Sequence, residues 1–79
     1  MTIHLALFAY LSQYQPDGQV GRHARPIDVG DGATVGELIA LLGLPDGPRV
    51  VLVNGRHVVD DQALSDGDRL AIFPPIAGG

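Results

Sequence analysis

A chain of 79 residues with 46% hydrophobic and 18% charged side chains specifies one small folded domain, able to bury roughly 60% of its surface. It has no cysteine, which excludes disulfides, thiolate metal sites and a cysteine nucleophile. A net charge of −4, with every positive side chain an arginine, argues against a phosphate-backbone binder and leaves no side-chain amine for a Schiff base or a self-linked isopeptide bond.

The opening run TIHLALFAYL alternates, with Ile3, Leu5 and Leu7 on one face and His4, Ala6, Phe8 and Tyr10 on the other, so a strand is predicted. The segment SQYQPDGQVGRH carries a Pro-Asp-Gly turn signal and reads as a long hairpin loop. Alternation resumes in ARPIDV with Ile27 and Val29, and Pro26, which cannot donate to a ladder, places this strand at a sheet edge. Thr34 and Glu37 form a capping box ahead of VGELIALLG. Val35, Leu38, Ile39 and Leu42 follow the rhythm of one buried helix face, Gly43 supplies a left-handed cap, and Pro45 blocks continuation.

Beyond the PDGP turn, two β-branched runs in RVVLVNGRHVV flank Asn54-Gly55, a strong hairpin signal. DDQALSDGDR is a polar connection with Leu64 as its apolar anchor. The last strand, RLAIF, puts Leu70 and Ile72 on one face and Ala71 and Phe73 on the other. One helix against a small sheet makes an α+β roll. The expected organisation is a single domain over residues 1–75 with a flexible tail at 76–79. No leader pattern or apolar run near ~20 residues is present, so a cytoplasmic location is expected.

Little in the body of the chain points to chemistry. His4, His23 and His57 are far apart and lack the spacing of metal ligands. Asp60, Asp61, Asp66 and Asp68 read first as turn and loop residues. Neither Ser12 nor Ser65 sits in a nucleophile elbow, and DVGDGATVGE lacks the lysine of a phosphate loop. The tail FPPIAGG is different. Pro74 and Pro75 hold its root extended, and Gly78 and Gly79 carry no Cβ, so a narrow channel could close around them. The Gly79 carboxylate, ionised at neutral pH, suits activation as an acyl adenylate followed by displacement with sulfur. That chemistry needs no cysteine.

The stretch LSDGDRLAIFPPIAGG, with LFAYL and VLVNGRHV upstream, resembles the MoaD/ThiS family of ubiquitin-like sulfur carriers. The resemblance implies a β-grasp fold: a mixed sheet of four to five strands, one main helix on one face, and the first and last strands parallel at the centre. It implies a carrier without catalytic residues of its own, whose Gly79 becomes a thiocarboxylate. It also implies three partners: a ubiquitin-activating-like adenylyltransferase that itself binds ATP and magnesium, a sulfur donor such as a cysteine desulfurase or rhodanese-like protein, and an acceptor such as the large subunit of molybdopterin synthase. Gly78 would permit passage into the activating site, and Phe73, Pro74, Pro75, Ile76 and Ala77 would form the docking segment.

If the first and last strands are neighbours, Phe8 and Phe73 share the face away from the Leu5/Ile72 core, where they form either a minor core or a partner surface. FPPIAGG resembles the molybdopterin-synthase branch, whereas the short link from helix to third strand is similar to compact thiamin-type carriers. Three readings follow: a sulfur carrier for molybdopterin, thiamin or another metabolite; a protein modifier conjugated through Gly79; or an interaction module with an inert tail.

Overall fold

The computed structural model describes residues 1–15, 24–45 and 47–75. Strands β1 (Thr2–Leu7), β2 (Arg25–Asp28), β3 (Val50–Val53), β4 (Arg56–His57) and β5 (Arg69–Phe73) form one mixed sheet in the order β2-β1-β5-β3-β4. Helix α1 (Val35–Leu42) packs on one face. This is the expected β-grasp arrangement. Strands β1 and β5 run parallel at the centre, with Leu5 opposite Leu70 and Leu7 opposite Ile72. As Pro26 predicts, β2 is an edge.

The core follows from alternation meeting helical periodicity. Ile3, Leu5, Leu7, Leu70 and Ile72 are fully buried, and Val35, Leu38 and Ile39 of α1 close over them. Each such side chain is worth about 1.5–3 kcal/mol of burial. Leu64 is buried as the anchor of its polar connection. Leu42, expected on the buried helix face, is only half-buried at its margin.

Local signals account for the ends of α1. The Thr34 hydroxyl accepts a hydrogen bond from the Glu37 amide (3.2 Å), and Gly43 closes the helix at φ +73°. The other half of the capping box, a bond donated by the Thr34 amide to the Glu37 carboxylate, is absent among the described residues. Two orphan amides go to the polar connection instead: Val35 donates to the Gln62 carbonyl (2.9 Å) and Gly36 to the Asp60 carbonyl (2.7 Å). A Cβ at Gly36 would lie 3.1 Å from that carbonyl oxygen, so glycine permits this close approach.

The opening strand is shorter than its alternation predicts. It stops at Leu7, and Ala9–Tyr14 forms a 3-10 helix where strand end and hairpin loop were expected. The cause is the neighbouring strand. The Phe8 amide donates to the Ile72 carbonyl (3.1 Å), but the next parallel bond would have to come from residue 74, a proline without an N–H. The Phe8 carbonyl accepts from the Leu11 amide instead (3.1 Å), and Leu11 drops into the core. Ala9 makes the turn at φ +53°, costly for a residue with a Cβ. Tyr10, expected beside Phe8 on the strand, is an exposed residue of this helix. The rest of the expected hairpin loop, 16–23, lies outside the described residues.

At the other sheet edge, Asn54 and Gly55 both take positive φ, +52° and +81°, as the hairpin signal requires. Strand β4 is only Arg56–His57, shorter than its β-branched run suggests, and Val59 is left exposed.

Candidate functional site

Strand β5 is paired on both sides along its length, by β1 and by β3, and its Leu70 and Ile72 are locked into the core. It ends at Phe73, because Pro74 and Pro75 offer no amide to either neighbour. The chain therefore leaves the sheet from its best-anchored strand.

The two phenylalanines that alternation places on the outer face do meet. Phe8 and Phe73 stack with ring centroids 4.2 Å apart and an interplanar angle of 8°. Both remain half-buried, so the pair forms neither a second core nor a fully solvated patch. Pro74 (half-buried) and Pro75 (exposed) continue the same surface, together enclosing an open groove of about 420 Å³ with Phe8, Phe73, Ala9 and Val50. None of the described lining residues is charged or carries a side-chain group able to act as a base or a nucleophile. The groove can desolvate an apolar side chain and nothing more.

Of the residues singled out from the sequence, Phe8, Phe73, Pro74 and Pro75 come together here. Ile76, Ala77, Gly78 and Gly79 lie outside the described residues, as does His23. Ala9 and Val50 are lining residues that sequence reasoning missed. Val50 was accessible to it: alternation in β3 sends Val51 and Val53 into the core and turns Val50 outward, opposite Phe73. Ala9 gave no signal, because its place depends on the turn that Pro74 forces.

The remaining polar candidates serve the fold. Asp66 accepts the Thr2 amide (2.7 Å), and Asp68 accepts both the Asn54 side-chain amide (2.9 Å) and the Ser65 amide (2.8 Å). The Asn54 side-chain oxygen accepts the Arg69 amide (3.0 Å), tying the hairpin turn to the start of β5. His4 and His57 are exposed, and no cluster of metal-ligating side chains occurs among the described residues. None of their helices is long and apolar enough to cross a membrane.

The family model for the ThiS family matches residues 8–79. The chain is 36% identical to small archaeal modifier protein 3 of Haloferax volcanii over an alignment of 97 residues, spanning 100% of both chains. It is 47% identical over 38 residues to the molybdopterin synthase sulfur carrier subunit of Escherichia coli, a match of 48% of this chain and 47% of that protein. Among solved structures, SAMP1 of Haloferax volcanii superposes with a TM-score of 0.72 at 31% identity, covering 100% of both chains.

Proposed function

We propose that this chain, which belongs to the ThiS family of ubiquitin-like sulfur carriers, works through the carboxylate of Gly79, activated and charged with sulfur by partner enzymes. Members of this family are small carriers rather than catalysts. The observation that carries the reading is the exit of the chain from β5: a rigid central strand, two prolines that end its pairing, and an uncharged groove at the tail's root. Such a surface presents a terminus to another protein's active site and supplies no chemistry itself.

In the proposed cycle a carboxylate oxygen of Gly79 attacks the α-phosphorus of ATP, and pyrophosphate leaves. ATP and magnesium are held by the adenylyltransferase. A persulfide on a cysteine desulfurase or rhodanese-like protein displaces AMP, which carries away one carboxylate oxygen, and forms an acyl disulfide. A second thiol then cleaves its S–S bond, leaving the Gly79 thiocarboxylate and a disulfide between the two thiol sulfurs. Phe8, Phe73, Pro74 and Pro75 dock against the partner, Ile76 and Ala77 bridge to its site, and Gly78 lets its channel close on the backbone. The acceptor is an enzyme of molybdopterin synthesis such as the large synthase subunit, a reading supported by the likeness to the Escherichia coli carrier subunit.

A second reading has its own support. The archaeal modifier protein is similar over the whole of both chains, which favours conjugation of Gly79 to an amine on another protein. Both readings share the adenylate and divide afterwards. Intact-mass measurement after co-expression with the cognate activating enzyme separates them. The carrier gains the mass difference between sulfur and oxygen, whereas the modifier yields heavier conjugates. Neither product, together with a Gly79 deletion that behaves like the parent, would overturn both.

A further inference from the structure

The helix side of the molecule carries a second concavity, which shares no described lining residue with the groove of Phe8 and Phe73. Two open grooves of about 490 and 310 Å³ lie between α1 and the strand-and-loop segment that precedes it, and they share Val29, Leu38 and Leu41. Ile27, Leu42 and Tyr14 extend the apolar floor. Between the two grooves stands Leu41, 77% exposed, the most exposed large apolar side chain among the described residues. Single exposed leucines are ordinary on protein surfaces. This one flanks a continuous concavity, on a helix otherwise organised to bury its apolar face.

The charged side chains among the described lining residues are all acidic. Asp28, Asp31 and Glu37 line the grooves, all exposed, and no described lining residue is cationic. The Met1 ammonium lies 3.2 Å from Asp31 and offsets part of that charge, while Asp28 accepts a hydrogen bond from the Thr2 hydroxyl. Arg25, at the start of β2, does not line either groove. An aliphatic floor with a carboxylate rim is complementary to an aliphatic segment flanked by cations.

We propose that this groove is a second docking surface, which takes a partner segment that inserts aliphatic side chains beside Leu41 and carries lysine or arginine on its flanks. The helix covers the sheet face opposite the stacked phenylalanines, so both surfaces can be occupied together. A protein whose tail is held in one enzyme can then be gripped by another. The inference does not depend on the chemistry assigned to Gly79.

The test uses the full chain and, as probe, an amphipathic peptide of leucine and lysine, with its glutamate counterpart as control. Amide chemical shifts of Val29, Asp31, Leu38 and Leu41 should move with the lysine peptide and stay in place with the glutamate one. Leu41→Lys, at an exposed site, should keep the parent thermal midpoint and weaken binding roughly tenfold or more. Glu37→Gln should weaken it less and flatten its salt dependence. Phe8→Ser should leave it unchanged, which separates this surface from the tail-root groove. Equal binding by Leu41→Lys and the parent would overturn the proposal, as would shifts centred on Phe73 or on Asp60 and Asp61. A concentration-dependent dimer that Leu41→Lys abolishes would assign the groove to a second copy of the chain and overturn it too.

Discussion

The two faces of β5 divide the work of this small protein between alternate residues. On the inner face, Leu70 and Ile72 have no exposed surface and join Leu5 and Leu7 under the helix. On the outer face, Ala71 and Phe73 are half-buried, and Phe73 meets Phe8 in a stack open to solvent. A strand permits this separation because its side chains alternate with period two. Core packing and an open aromatic surface are therefore encoded one residue apart. Binding at the outer face need not disturb the core that fixes the tail's origin.

Substitutions at three positions probe that division. Ile72→Ala removes a fully buried side chain next to the exit and should cost about 2–5 kcal/mol in urea unfolding, with the slope of the transition unchanged. A loss below 1 kcal/mol would mean that the inner face does not anchor the strand as its burial implies. Asn54→Ala deletes the amide that bonds both the Arg69 backbone and Asp68, and puts alanine at φ +52°. The expected loss is about 1–2 kcal/mol, read as a lower unfolding midpoint. Asn54→Gly should recover the part due to backbone strain.

Phe8→Ser should have the smallest effect on folding, no more than about 1.5 kcal/mol, because it breaks a half-buried ring pair rather than a core contact. The same variant should bind the activating enzyme roughly tenfold or more weakly in titration calorimetry. Unfolding comparable to that of Ile72→Ala would instead make the aromatic pair a minor core and dissolve the contrast between the faces.

Much of this was legible in the sequence because it rests on short-range physics. Alternation marks Leu70 and Ile72 as inner residues whatever their partners are. Thr34 caps the helix through an amide three residues away, Gly43 ends it by tolerating positive φ, and Asn54-Gly55 closes a hairpin through its own two backbone conformations. The placing of Phe8 with Phe73 was also within reach, once parallel pairing of the terminal strands was assumed.

Other features depended on residues distant in the chain. The end of β1 is decided by Pro74, whose missing amide leaves the Phe8 carbonyl to Leu11 and forces the turn at Ala9. Nothing in LFAYL announces this. Helical periodicity identifies Leu38 and Leu42 as inward-facing, but it cannot say that Leu41 stands beside a groove, because the other wall belongs to β2 and its following loop. Gly36 looks like a weakness within a helix until the Asp60 carbonyl arrives against it. The sequence by itself determined the strands, the capped helix and their inner faces, since those follow from local conformation and from alternation. Only the tertiary structure decided where the first strand stops, which apolar residues stay uncovered and what walls surround them, because each depends on hydrogen bonds and packing between segments far apart in the chain.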